Sequence, residues 1–435
     1  MAKPSTTVGP ARDPSVRTVA GRAAYLLLYN ASEVVTPDPE GRGVIRYPKG
    51  AVVFRDGRVL EVGISAELMR RHGEARPINA NGRLVTPGLV DCHTHMIFAG
   101  HRAQEFRRKL GGESYAKIAA GGGGIRTTVR ATTTERDEAL EKSLAARLER
   151  WRASGCTTVE VKSGYGLKPR DELRLLGLMR GAVQRVPVRV QRTALLLHAL
   201  PEEYHERRGD YVEAMCDLMP EIVSRELATA VDVFCDPVAF TVEECRRVLT
   251  RAREHGMGLR VHADQLEHSG GARLAAELGA LSADHLEKAT EEDWAALAAS
   301  GTVGVLLPAA ALTLGQRLPK ARMLRKSGAR VAIATDFNPG TAPAQSLLEC
   351  AALAARLCGF RPEELLLAIT WNAAKALGLQ DQVGHLNPGA SGDAVTWECE
   401  TLEELPYWMP AVRPDCVFVR GADLALPAME RRVWP

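Results

Sequence analysis

Two histidines one residue apart, His93 and His95, close the apolar run Thr86-Pro-Gly-Leu-Val-Asp-Cys-His-Thr-His95. Alternate side chains of an extended strand share a face, so both imidazoles can address one small volume. That geometry suits a metal ion and few structural roles. His198, His262, His285 and Asp336 also stand at the ends of apolar runs. Imidazole and carboxylate donors suit a borderline divalent ion, zinc first, with iron and manganese also compatible. An ion with one open position lowers the pKa of bound water to about 7. An aspartate beside it can take the proton as that water attacks and return it to a departing nitrogen. The implied chemistry is hydrolysis of a polarised C–N bond. Any one of these histidines reads as readily as an ordinary core residue, but five with an aspartate, all at run ends, argue for one shared site.

The elements that must position these groups are strands in a repeating pattern. Apolar runs at 88–95, 157–162, 189–198, 231–235, 259–262, 283–285, 302–307 and 331–335 alternate with helical segments. That alternation predicts βα units and a parallel sheet. Thr241 with Glu244 and Thr290 with Asp293 have capping-box spacing, and Gly155, Gly256, Gly279 and Gly301 stand at helix ends. Eight strand–helix pairs over some 250 residues match the size of a (β/α)8 barrel, whose active site lies at the C-terminal ends of the strands. The histidines and Asp336 fall at those ends. An open doubly wound sheet is the alternative, but no glycine-rich phosphate turn follows an early strand.

Both flanks of the barrel read as β structure. Short runs at 25–30, 50–54 and 58–62, the last two joined by Asp56-Gly57, predict hairpins. Runs at 392–397 and 415–420 return to that texture and complete the same small β-sandwich. The expected organisation is a disordered leader over 1–17, a first β part over 18–86, the barrel over 87–378 and a second β part over 379–435.

Composition narrows the function. The 435 residues are 46% hydrophobic with a formal charge of +3, so no large basic surface for nucleic acid is implied. Nine scattered cysteines without CxxC spacing read as reduced, mostly buried thiols of a cytoplasmic protein. No run is long enough to span a membrane, and Ala23-Ala-Tyr-Leu-Leu-Leu-Tyr29 lacks a signal peptide's cleavage pattern.

The Pro-Gly-Leu-Val-Asp-x-His-x-His pattern resembles the amidohydrolase superfamily. Within it, seven further stretches resemble the imidazolonepropionases. They are Phe98-Ala-Gly-His-Arg102, Ser114-Tyr115, Gly121-Gly-Gly-Gly-Ile125, Glu160-Val-Lys-Ser-Gly-Tyr-Gly166, Val261-His-Ala-Asp-Gln265, Ala283-Asp-His285 and Thr335-Asp-Phe-Asn-Pro-Gly-Thr341. The resemblance covers about residues 50–420 and implies a metal-bearing (β/α)8 barrel with a composite β domain from both chain ends. It implies hydrolysis of the cyclic amide bond of 4-imidazolone-5-propanoate, giving N-formimino-L-glutamate in histidine breakdown. By resemblance His93, His95, His262 and Asp336 hold one metal ion, zinc or iron. Arg102, Tyr115, Tyr165, His198, Gln265, His285, Asn338, Gly340 and Thr341 contact the substrate. A cytoplasmic homodimer is implied as well.

Several roles also follow from chemistry. A propanoate tail needs a cation, and Arg102 offers a planar fork. Lys162 lies on the second strand, whereas relatives with two ions carry a carboxylated lysine on the fourth; a single ion is therefore expected. Gln265 stands where some family members carry glutamate. Glutamine cannot act as a base, so proton transfer falls to Asp336 or His285, and Gln265 is assigned a hydrogen bond to substrate. The glycine run lacks the context of a P-loop and reads as a loop closing over the site. The rival readings are an aminohydrolase of purine or pyrimidine rings and a metal-free scaffold.

Overall fold

The computed structural model describes residues 25–113 and 123–424. The leader, Tyr115 and the first half of the glycine run lie outside them. At the centre eight parallel strands follow one another in chain order: Leu89–Asp91, Cys156–Lys162, Arg189–Leu197, Ala230–Cys235, Gly258–Ala263, Ser282–His285, Val303–Leu306 and Val331–Ile333. The first and last strands meet beyond their ends. Thr94 bridges Phe337 in parallel, Asp336 N donates to His93 O at 3.0 Å, and His95 N donates to Phe337 O at 2.9 Å. This seam closes the sheet into a barrel and rules out the open doubly wound alternative.

The first strand differs from its sequence reading. Its ladder ends at Asp91 rather than His95, because the His93 carbonyl and the His95 amide bond to the eighth strand's exit while Thr94 O alone still accepts from Lys162 N of the second strand. His93 and His95 are therefore held by the closing seam, on either side of Thr94.

Each helix start and stop read from the sequence has a structural basis. Thr241 and Thr290 each accept the N3 amide while Glu244 and Asp293 return the bond, opening the helices Val242–Glu254 and Glu291–Ser300. Gly279 and Gly301 end their helices with φ of 63° and 76°, the left-handed conformation that favours glycine. The long charged helix runs over Asp137–Ala153, preceded by a separate helix over Ile125–Thr134. No helix among the described residues is long and apolar enough to cross a membrane.

The flanking strands form two sheets. A four-stranded sheet contains Tyr25–Tyr29, Gly50–Arg55, Arg58–Ile64 and Arg76–Asn79, with Asp56 and Gly57 making the hairpin turn at positive φ. A six-stranded sheet joins Glu33–Pro37, Val44–Pro48 and Val85–Pro87 to Ala394–Trp397, Pro414–Val419 and Ala422–Leu424 from the other end of the chain. The two sheets share an apolar core that includes Leu28, Val52, Val34 and Val85, and Phe54 stacks on Phe418 with ring centroids 5.6 Å apart. The barrel thus lies between two chain segments that pair with each other.

Candidate active site

The strand ends bring four donors together. His93 Nε2 lies 3.5 Å and His95 Nε2 3.3 Å from Asp336 Oδ1, and His262 Nε2 lies 3.4 Å from His95 Nε2. All four residues are at most 3% exposed. His285 is adjacent, with a ring nitrogen within 4.8 Å of nitrogens of His93 and His262. Asp336 and His285 sit at φ of 53° and 80°, a region that costs a non-glycine residue energy and is commonest at functional sites.

Carboxylates behind the rings decide what the cluster can hold. His93 Nδ1 is 2.6 Å from Asp284 Oδ2, and His262 Nδ1 is 3.1 Å from Asp232 Oδ1. Each carboxylate fixes the ring proton on Nδ1, leaving the Nε2 lone pair facing the cluster. His93 Nε2 has no hydrogen-bond partner although it is buried. His93 thus joins two buried donor groups, one with His95 and Asp336 and one with His262 and His285, a crowding of acceptors that a cation among them would relieve. His93 registers the same demand: burial opposes its protonation, yet Asp284 and Asp336 push its pKa up to about 9. Asp336, despite burial, is held well below the carboxylate range by His93 and His95.

The interior charge agrees. Four buried carboxylates, Glu160, Asp232, Asp284 and Asp336, face two buried cations, Lys162 and Arg260. This group carries more negative than positive charge, which favours a bound cation. Burial disfavours the Lys162 ammonium, but Asp232, Glu160 and Asp284 outweigh that and raise its pKa. Lys162 is thus a committed cation, unlike a carboxylated bridging lysine.

Around the donors stand the other residues singled out by sequence. His198 directs Nδ1–H to the Gly164 carbonyl at 2.8 Å and stacks on His95 with centroids 5.4 Å apart. Burial, with the neighbouring His95, lowers its pKa to about 3, so it is neutral with Nε2 as an acceptor. Tyr165 packs between His198 and Phe98, its centroid 5.4 Å from the first and 6.4 Å from the second. Arg147 reaches from the long helix to the carbonyls of Met96 and Phe98 at 2.5 and 2.9 Å and anchors the segment after His95.

Gln265 is 8% exposed and follows Asp264, whose carboxylate accepts from the amides of Ser269, Gly270 and Ala272. That cap fixes the loop after the fifth strand. Arg102 lines a narrow cleft with Glu105, Lys109, Gly340 and Thr341. Asn338 has partners within its own loop. Its Oδ1 accepts from Gly340 N and Thr341 N, both at 2.8 Å, and its Nδ2 donates to Asp336 O at 2.7 Å. Its amide shapes the loop that carries Asp336.

Asp232, Asp284, Glu160 and Lys162 escaped assignment from sequence. The available signal was a charge inside an apolar strand, which is costly unless paired; the partner is what the sequence withholds. Asp91 is a further case. It accepts from Trp151 Nε1 and Thr335 Oγ1, both at 2.7 Å, tying the first strand to the eighth beside the seam.

Residues 84–422 match the amidohydrolase family model. The imidazolonepropionase of Erwinia tasmaniensis is 42% identical over 399 residues, which cover 91% of this chain and 98% of that protein. That of Hahella chejuensis is 47% identical over 331 residues, covering 76% and 82%. Among solved structures, the guanine deaminase of E. coli aligns with a TM-score of 0.71 at 16% identity, covering 93% of this chain and 100% of that one. A Xanthomonas campestris adenosine deaminase with bound zinc aligns with a TM-score of 0.70 at 20% identity, covering 92% of each. At that identity the deaminases establish the fold alone.

Proposed function

The chain belongs to the amidohydrolase family and, within it, to the imidazolonepropionases, and we propose that His93, His95, His262 and Asp336 hold one metal ion at the point where the ring is opened. The enzyme hydrolyses the cyclic amide C–N bond of 4-imidazolone-5-propanoate, giving N-formimino-L-glutamate. The observation that carries the metal site is the buried meeting of His93, His95 and Asp336, with His262 Nε2 3.4 Å from His95 Nε2. Three imidazoles and one carboxylate suit zinc and iron alike. Such an ion supplies a Lewis acid for the ring carbonyl and acidifies a water beside it.

The chain's own groups do the rest. Arg102 pairs with the propanoate carboxylate and sets the ring's orientation. Asp336, kept ionised, takes the proton of the water whose oxygen bonds to the ring carbonyl carbon, and passes it to the ring nitrogen as the C–N bond breaks. His198, neutral with Nε2 as acceptor, receives a ring N–H. His285 and Gln265 hold the carbonyl side, Tyr165 packs on the ring, and Gly340 and Thr341 wall the tail. Tyr115 joins the tail contacts. A cytoplasmic homodimer acting on this small molecule completes the reading.

Incubation with 4-imidazolone-5-propanoate, following loss of the ring absorbance, tests it, with guanine and cytosine as controls. Turnover of the imidazolone alone is expected. Deamination of either base without ring opening would replace this reading with the aminohydrolase one.

A further inference from the structure

Lys162 is fully buried in the barrel interior. Its ammonium lies 2.7 Å from Glu160 Oε1, 2.7 Å from Asp232 Oδ2 and 3.8 Å from Asp284 Oδ2. Two of these carboxylates lead on to a histidine of the cluster, and the third to the Thr94 amide beside them. Asp232 uses its other oxygen for His262 Nδ1, and Asp284 uses Oδ2 for His93 Nδ1. Glu160 uses Oε2 to accept from Thr94 N at 3.2 Å, the peptide between His93 and His95. The Lys162 backbone joins the same point, its N donating to Thr94 O at 2.9 Å. One cation therefore stands a single carboxylate away from the rings of His93 and His262 and from the Thr94 amide that precedes His95.

We propose that Lys162 is a positioning residue for the metal site: through Asp284 and Asp232 it fixes the rings of His93 and His262, and through Glu160 the backbone that carries His95. Asp232, gripped at its far oxygen by the ammonium, cannot turn with the His262 ring, and the Asp284 oxygen that holds His93 also faces the ammonium at 3.8 Å. These groups are then in place before any ion arrives, and the ion does not have to order them. The proposal rests on the metal-site reading above.

The competing account is that Lys162 merely cancels charge. Lys162→Met alone leaves carboxylates uncompensated in the interior, a change that unfolds proteins for reasons unrelated to the metal. The double variant Lys162→Met/Glu160→Gln removes one charge of each sign, so the interior balance is unchanged, and the glutamine carbonyl still accepts from Thr94 N. Lys162→Arg is the second arm: it keeps the charge but replaces a compact ammonium with a planar fork that cannot reach the three carboxylates in the same way.

Metal-depleted full-length protein is titrated with zinc against a chromophoric chelator, and with cobalt(II) while its visible spectrum is recorded. Loss of supporting contacts lowers metal affinity about 10- to 100-fold. That loss is expected for the double variant, with a smaller loss for Lys162→Arg and an altered cobalt spectrum in both. Parental affinity and spectrum in whichever variants fold would overturn the proposal and leave Lys162 a charge balancer. A parent protein that binds neither ion would instead remove the metal site itself.

Discussion

Arg102 donates through Nε to Glu105 Oε2 at 2.7 Å, and Glu105 Oε1 accepts from Gly124 N at 3.1 Å and from the Thr127 hydroxyl at 3.0 Å. One carboxylate thus aims the guanidinium and anchors the end of the glycine run. If Arg102 holds the propanoate, Arg102→Met raises KM sharply with a small change in kcat. A hydrogen bond to a charged group contributes about 1.5–3 kcal/mol, so a rise of roughly 10- to 100-fold is expected. Glu105→Gln, which loosens the aim but keeps the cation, raises KM less. Steady-state kinetics on 4-imidazolone-5-propanoate decides; an unchanged KM in Arg102→Met removes the tail assignment.

Gly340 offers a test that leaves every charge in place. A Cβ at this position would run into the Arg102 guanidinium. Gly340→Ala is therefore expected to displace Arg102 and raise KM in the same sense as Arg102→Met, with the fold intact because the loop is still held by Asn338. A variant with parental KM would mean that the guanidinium has room to move without consequence.

Asp336 carries both a donor atom and the proposed proton transfer. Asp336→Asn keeps its shape and abolishes its basicity, and turnover falls by at least the 10²–10⁴-fold associated with general acid–base groups. Substrate affinity, set by Arg102 in the tail cleft, is expected to stay within a few-fold. Turnover is read by ring absorbance and binding by calorimetry. Retained turnover would assign the proton to His285.

Much of this arrangement was legible because barrel strands covered on both faces read as continuous apolar runs, with the chemistry at their ends. The sixth strand, predicted over only three residues, is Ser282–His285. The supporting carboxylates were harder. Asp232 pairs with His262 across 30 positions and Asp284 with His93 across 191, and no local pattern specifies which strand face meets which. The exit of the first strand was misjudged for a related reason, since its hydrogen bonds pass to a strand more than two hundred residues away. Asn338 carried a local signal: Asn-Pro-Gly-Thr is turn chemistry, and the structure gives its amide to that turn.

Acid sensitivity can be placed on one carboxylate away from the site. Asp293 is buried and accepts from Thr290 N and Oγ1, His268 Nε2 and Arg273 Nε at 2.8–3.1 Å. Burial alone would raise its pKa, but the Thr290 and His268 bonds outweigh that and lower it. A depressed folded pKa contributes stability above the unfolded value of about 3.9 and loses it as pH falls through the folded one. Asp293→Asn removes this contribution, so its denaturation midpoint should decline less than the parent's below about pH 4. Parallel declines would place the acid sensitivity elsewhere.

Removing the metal should cost stability as well as activity, because the cluster is built for a charge it does not contain by itself. Without a cation, the buried rings of His93, His95 and His262 and the Asp336 carboxylate crowd one another with nothing between them to hold them apart. A ligand that binds only the folded state stabilises it by RT ln(1 + [L]/Kd), about 4 kcal/mol at a thousandfold excess over Kd. Dialysis against a chelator should therefore lower the melting temperature and abolish ring opening, and adding back zinc or iron(II) should restore both together. The ion that restores activity at the lower concentration is the better match to three imidazoles and a carboxylate. A chelated protein that melts with the parent and still turns over substrate would show that the cluster around His93 is filled by something other than a metal.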